Sequence, residues 1–284
     1  MSWRPAGRDQ NQAVLNRLNR DEWKHVALTS RLRSSGGSRL FGQIAEGRLW
    51  TLCKNDSVDG VFYISRYGVA LPVFEPESLD AKDLEGLKRI IRLRRERLFS
   101  IIGTEERVRL LESLLDRHAP DSETYRIFVS GDQEIDRPSP TFHQRIQRAD
   151  IRHLDDLWPL ERSYQIEEVL RSGSRLNERS GRRYLASTLK EQLVFFVDID
   201  GLPVAKAGTN ARGYGFDQIG GVFVKPELRK RGLARLVMSR LLQEIFHEGR
   251  RACLFVKESN GPALRLYRGM GFKDGGPFRI SYWS

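Results

Sequence analysis

The sequence predicts an α/β protein built on a mixed sheet, and three observations carry that prediction. Short β-rich runs alternate with helical apolar stripes in both halves of the 284-residue chain. Asp200-Gly201 is a strong two-residue hairpin turn between two apolar strands. A buried-type strand ending at Pro226 runs through a basic, glycine-containing loop into a helix with a continuous apolar stripe.

In the first half, Asn11 to Leu32 reads as helix with a break around Asn19-Arg20-Asp21. Asp21 is placed to cap the second segment, and Gly36-Gly37 ends the region. Leu49–Cys53, Gly60–Ile64 and Val69–Phe74 are short β-rich runs punctuated by Asn55-Asp56 and Tyr67-Gly68. Leu84 to Arg97 is a basic amphipathic helix, whose Lys88, Arg89, Arg92, Arg94, Arg95 and Arg97 read as a solvated face. Phe99–Gly103 is a buried-type strand, and Thr104 caps a helix whose first turn holds Glu105 and Glu106, which suits the dipole there. This half is expected to hold its own sheet. The polar, proline-bearing stretch from Ser130 to Pro140 is the best linker, so the expected domains are 1–135 and 136–284, with the boundary near 131–142.

In the second half, Arg145–Arg148 reads as a first strand, and Ile151–Ser163 and Glu167–Arg171 as helical. Leu193–Asp198 and Val204–Thr209 form the hairpin around Asp200-Gly201. Then come a strand from Phe216 to Val224, a helix from Gly232 to Glu248, a strand from Ala252 to Val256, a short helix from Pro262 to Met270 and a last strand from Phe278 to Tyr282.

Composition limits the function classes. The chain is 39% hydrophobic and 30% charged, a globular composition. No run approaches the roughly 18 apolar residues that cross a bilayer, and the start lacks a secretory apolar core. Cys53 and Cys253 lie far apart in apolar segments and read as free thiols of a reducing cytosol. The five histidines have no ligand spacing, so no metal is implied. The net charge of +11 divides into +2 for residues 1–142 and +9 for residues 143–284. A basic second half calls for an anionic partner: nucleic acid, a membrane surface or a phosphorylated cofactor.

The loop Arg229-Lys230-Arg231-Gly232-Leu233-Ala234 points to the last of these. A helix start leaves backbone N–H groups without partners at the positive end of the dipole, which makes it an anion site. Gly232 and small Ala234 let a phosphate approach the main chain, and the three basic residues add charge-assisted contacts. Spaced glycines of a Rossmann or Walker loop are absent. After the next strand, Asn260 is placed to cap a helix with Pro262 in its first turn. Tyr267 lies within that helix, and Gly271 suits a left-handed C-cap.

Arg229-x-x-Gly232-x-Ala234 resembles the cofactor loop of GNAT acyltransferases, and Asn260-x-x-Ala263-x-x-x-Tyr267-x-x-x-Gly271-Phe272 resembles their second signature. The resemblance covers roughly residues 143–284. It implies a GNAT fold there and acetyl-CoA as co-substrate. Amides from Arg229 to Ala234 would hold the pyrophosphate, main-chain groups of Phe223 and Val224 would pair with the pantetheine arm, and Asn260 would contact the cofactor or hold its helix. Tyr267 would protonate the departing thiolate as a neutral amine attacks the thioester directly. For the base, Asp217 stands on the strand before the loop, and Glu167 and Glu168 lie in the acceptor-side helical region; Glu168 and Asp217 are the residues named for it. The first half is similar to the degenerate, GNAT-like N-terminal domain of a bacterial two-domain subgroup and would wall the acceptor cleft. The acceptor is then a small-molecule amine, an amino acid or a peptide. Two other readings are a nucleic-acid-binding protein with a vestigial transferase domain, and a transferase of longer acyl or aminoacyl groups.

Overall fold

The computed structural model describes residues 3–34, 47–55, 57–93, 98–115, 121–131, 144–170 and 174–283. Among the described residues, twelve strands form one sheet in the order β1-β2-β3-β4-β5-β12-β6-β11-β10-β9-β8-β7. The strands and helices run β1 Arg4–Pro5, α1 Asn11–Asn19, α2 Val26–Ser34, β2 Gly47–Lys54, β3 Ser57–Ser65, β4 Val69–Val73, α3 Ala81–Arg92, β5 Ser100–Thr104, α4 Glu105–Leu114, β6 Asp121–Val129, β7 Gln144–Arg148, α5 Leu154–Tyr164, α6 Glu178–Glu191, β8 Val194–Ile199, β9 Leu202–Arg212, β10 Phe216–Val224, α7 Leu233–His247, β11 Arg251–Lys257, α8 Gly261–Gly269 and β12 Lys273–Tyr282.

The two halves share one topology. In each, antiparallel strands lead to a strand (β4 or β10), a helix (α3 or α7) and a parallel partner strand (β5 or β11). A second helix and a last strand follow, α4 then β6, and α8 then β12. The last strands are exchanged. β12 lies against β5 of the first half, β6 lies against β11 of the second, and the two pair with each other at the centre. The first half therefore has no sheet of its own, contrary to the sequence expectation. Its last strand completes the second half's sheet.

Several local expectations hold. The helical stretch from Asn11 breaks where expected, and Asp200 and Gly201 turn the β8–β9 hairpin with φ of 52° and 82°. Others do not. Thr104 occupies the N-cap of α4, but its side chain makes no cap bond. Asp21 likewise caps nothing, because its carboxylate joins Arg17, Lys24 and Arg107 in an ion network. Gly36-Gly37, Asp56, Arg94, Arg95, Arg97, Arg171 and most of the 131–142 stretch lie outside the described residues.

The site rests on the core beneath the second half. α7 lays Leu233, Leu236, Val237, Leu241 and Ile245 against β8 to β11, as its stripe predicts. A carboxylate from the first half secures the turn between β9 and β10. Glu22 is buried and accepts from the backbone N–H groups of Tyr214 at 2.6 Å and Gly215 at 2.8 Å. A Cβ at Gly213 would stand 2.2 Å from the same carboxylate, so the turn needs glycine there. Removing the acceptor leaves two half-buried donors without their charged partner, so Glu22→Ala is expected to lose about 1–3 kcal/mol in urea unfolding. A variant as stable as the parent would refute that role.

Candidate functional site

A parallel pair that separates makes the site. β10 and β11 are in register from Phe216–Arg251 to Ile219–Leu254, and no further. Beyond that point β10 carries a bulge: Gly220 pairs with Gly208 but Phe223 pairs with Lys206, so one extra residue is inserted. Gly221 takes a φ of 62° within it. Lys206 fixes the bulge by donating to the Gly221 carbonyl at 2.9 Å, while pairing with buried Glu161 at 2.9 Å. The strands part around this point, and a cleft of about 1310 Å³ opens between them.

The cleft reaches both faces of the sheet. On the α7 face it meets the loop singled out from the sequence. A 3-10 turn, Pro226–Leu228, ends β10, and residues 229–232 are exposed and non-helical before α7 begins at Leu233. Gly232 is the N-cap, with φ 77° and no side-chain cap bond. The first turn therefore offers the unpaired amides of a helix start to the cleft. A Cβ at Gly232 would meet nothing within 4 Å. The glycine is required for its left-handed backbone rather than for room against the protein. No acidic residue stands in this first turn.

The corresponding turn of the first half is closed. There β4 leads through a 3-10 turn, Pro76–Ser78, to α3, with Asp80 as N-cap. The Asp80 carboxylate accepts from the Asp83 N–H at 2.8 Å, fully buried Asp83 accepts from the Asp80 N–H at 3.2 Å, and Lys54 pairs with Asp83 at 2.7 Å. An internal carboxylate thus occupies the anion position that α7 leaves open.

The basic side chains divide. Arg229 is committed: it donates to Glu167 at 2.7 Å and to the Val224 carbonyl at 3.2 Å, and lies over the Phe223 ring. Lys230 lines the cleft with a φ of 62°, while Arg231 is exposed and off its lining. Three cleft-lining cations, Arg235, Lys257 and Arg265, were not singled out from the sequence. The signal for Arg235 was a basic residue in a first turn, where the dipole disfavours it. Its guanidinium donates to the Gly269 carbonyl at 2.8 Å and so ties α7 to α8.

Leu233 and Ala234 line the cleft at the helix start, and Phe223 and Val224 line it along β10. The Lys225 N–H bonds to Val204 on β9. Main-chain groups alternate sides along a strand, so those of Phe223 belong to the β9 ladder and those of Val224 face the gap.

Asn260 caps α8, its Oδ1 accepting from the Ala263 N–H at 3.1 Å. Its Nδ2 donates to Glu168 at 3.3 Å. Glu168 belongs to one turn of π-helix, Gln165–Val169, that follows α5; such turns re-aim side chains at functional sites. Burial raises the Glu168 carboxyl above the ordinary value, neighbouring Glu167 adds to this, and Lys257 and Arg229 oppose it. Tyr267 is buried, packed against Phe128 and Phe272, and its hydroxyl has no hydrogen-bond partner among the described residues. Burial, then the charge of Glu168, pushes its phenol far above the ordinary value. Glu168 and Tyr267 thus share one cleft with the α7 amides.

Asp217 does not join them. It is fully buried, with Arg250 on one carboxylate oxygen at 2.5 Å and Arg212 on the other at 3.1 Å. It is not part of the cleft lining, and two guanidiniums engage both of its oxygens as a structural ion pair. Among the described residues, no group of three or more His, Cys, Asp or Glu side chains could hold a metal ion, and no helix is long and apolar enough to cross a membrane.

Residues 154–272 match the family model described as Acetyltransferase (GNAT) family. No curated protein sequence matches the chain. Among solved structures, the chain is similar to a Drosophila protein, with 13% identity, a TM-score of 0.72, and coverage of 99% of this chain and 98% of that one. It is also similar to a tandem GNAT protein from the clavulanic acid biosynthesis pathway, at 12% identity, TM-score 0.60 and coverage of 99% and 98%. A GCN5-related N-acetyltransferase from Kribbella flavida aligns at 16% identity and TM-score 0.58, over 90% of this chain and 96% of that one. At these identities the likeness establishes the fold, which runs through both halves. Residues 154–272 match the GNAT acetyltransferase family, within a fold that repeats one topology across its two halves and is shared with GNAT structures over the whole chain.

Proposed function

We propose that the protein transfers an acetyl group from acetyl-CoA to a primary amine by direct attack of the amine on the thioester. The observation that carries this reading is the contrast between the two helix starts: α3 has its amides occupied by Asp80 and Asp83, whereas α7 leaves its own open at Gly232. Residues 136–284, completed by β6, would form the catalytic unit.

The residues present fit the co-substrate. The amides from Gly232 to Arg235, with Lys230, Arg235 and Arg265, suit a diphosphate. Val224 turns its N–H toward the gap, where a carbonyl of the pantetheine arm can accept it, and its carbonyl, held by Arg229, keeps a second lone pair for an amide of that arm. Bound there, acetyl-CoA supplies an activated acyl group at the gap between β10 and β11. Glu168 takes a proton from the incoming ammonium. Tyr267 donates a hydrogen bond to the sulfur as negative charge develops on it. Its pKa stands well above the roughly 8.5 of a thiol, so its main contribution is that hydrogen bond, and a second amine proton ends on the sulfur. An N–C bond replaces the C–S bond.

Tyr267→Phe tests the acid end. Its kcat is expected to fall about 10- to 100-fold while acetyl-CoA affinity stays within about threefold, because only a contact strengthened during the reaction is lost. Unchanged kcat at saturating substrates would remove Tyr267 from the mechanism. The nucleic-acid reading has less support, since the cations nearest the cleft line a pocket rather than an open groove.

A further inference from the structure

A charged pair lies where the core calls for apolar side chains. On β9, Lys206 stands opposite Phe196 of β8 and Phe223 of β10, in the layer that α5 and α6 cover with Leu157, Trp158, Leu185 and Leu189. Yet Lys206 is 5% exposed, and its carboxylate partner, Glu161 of α5, is 3% exposed. Such a pair is costly to bury, and a well-packed apolar pair in its place is often as stable. Stability alone therefore does not account for it. Its remaining hydrogen bonds lead to the two sides of the cleft.

On one side the ammonium reaches the bulge. The inserted residue takes Gly221 out of the β9 register, and its carbonyl accepts from Lys206 Nζ at 2.9 Å. A Cβ at Gly221 would stand 3.0 Å from that nitrogen, so ammonium and bulge fit closely. On the other side, Glu161 holds Lys206 with Oε2 at 2.9 Å and accepts from the Gln165 amide with Oε1 at 2.7 Å. Gln165 opens the π-turn that carries Glu168. α6 has a glycine, unfavourable inside a helix, where it crosses Gln165: a Cβ at Gly181 would stand 2.9 Å from Gln165 Oε1. The Tyr164 ring, its centre 4.5 Å from Lys206 Nζ and its plane edge-on to Phe223, lines the cleft. It screens the network, for Glu161, Gln165 and Lys206 are off the cleft lining.

We propose that Lys206, Glu161 and Gln165 are positioning residues, a buried link that holds the β10 bulge and the turn bearing Glu168 at one spacing and so sets the base against the thioester gap. The inference rests on the acetyl-transfer reading above. β10 leaves β11 next to the bulge, so a shift of Gly221 moves the main chain of Phe223 and Val224. A shift of Gln165 turns the π-helical segment and Glu168 with it. The ion pair grips both from behind, and neither of its members touches substrate. A misplacement of about 1 Å between reacting groups costs about a hundredfold in rate.

Two variants of the full chain cut the link at different places. Gln165→Met breaks it between Glu161 and the π-turn and strands no charge. Lys206→Met combined with Glu161→Leu removes the ion pair whole. Thiol release is followed at saturating acetyl-CoA with whichever of n-hexylamine, glycine and a lysine peptide the parent acetylates fastest. Gln165→Met should lower kcat about 10- to 100-fold, with the acetyl-CoA Kd within about threefold by calorimetry and the thermal midpoint unaltered. The acidic limb of its pH profile should move toward the ordinary glutamate value. A turn no longer held exposes Glu168, while Glu167, Lys257, Arg229 and Asn260 around it are untouched. Amide hydrogen exchange should quicken at 165–170 in Gln165→Met, and at both 165–170 and 220–224 in the double variant. A Gln165→Met protein with parental kcat and parental limb would overturn the proposal, whatever the double variant does. So would a double variant whose exchange is unchanged at either segment. A parent that binds no acetyl-CoA, or binds it and releases no thiol with any of the three amines, would instead overturn the acetyl-transfer reading on which the proposal rests.

Discussion

Gly232→Asp is expected to lower the affinity for acetyl-CoA by about a hundredfold or more in calorimetric titration, with the protein still folded. Two physical effects act together. The substitution puts a carboxylate where the amides of α7 and the side chains of Lys230, Arg235 and Arg265 favour a diphosphate, and like charges in one recognition site cost several kcal/mol. Asp80 in the first half is a natural precedent, since there a carboxylate at the N-cap takes up the amides itself. The fold should survive for two reasons. A Cβ at residue 232 meets nothing within 4 Å, and Asp tolerates a φ near 77° better than most side chains. Arg231→Glu is a milder variant, because Arg231 lies off the cleft lining. An affinity for acetyl-CoA equal to that of the parent in a folded Gly232→Asp protein would overturn the cradle.

The parts of this site that could be read in the sequence are the local ones. Gly232, Ala234, Asn260, Tyr267 and Gly271 each sit at a helix end or on a short helix, where a few neighbouring residues determine the geometry. Gly271 takes a φ of 79°, as a left-handed C-cap requires, and Asn260 makes its expected cap. What could not be read was pairing over long separations. β6 was not recognised: Asp121 to Tyr125 is polar, and the partners that make it a central strand lie more than 120 residues away. The fold therefore repeats without a sequence repeat, and half of the acceptor face stayed invisible. α6 was missed because its sequence, rich in Arg, Glu and Ser, buries only Gly181, Leu185 and Leu189. Asp217 stood out as a carboxylate on the strand before the loop. Its engagement by Arg250, across 33 residues, is visible only once β10 and the α7–β11 turn are folded together.

Glu168→Gln is expected to reduce kcat/KM about 10²- to 10⁴-fold, the usual contribution of a positioned base, and to change the pH profile as well as its height. The carboxyl of Glu168 titrates above its ordinary value chiefly because it is half-buried, and the Asn260 amide at 3.3 Å points it toward the cleft that contains Tyr267. A base with a raised pKa is protonated, and idle, over a wider acidic range. In the parent, kcat/KM should therefore fall as pH drops through a value above that of a solvated glutamate. The acceptor amine adds its own dependence at higher pH, since only its neutral form attacks. In Glu168→Gln the lower limb should vanish and the amine's limb remain. A sterically similar amide keeps the contact with Asn260, so the fold and the affinity for acetyl-CoA should be little changed. This separates a lost proton acceptor from a collapsed site. A variant whose pH profile retains the lower limb at parental position would assign the proton to water or to another group in the cleft.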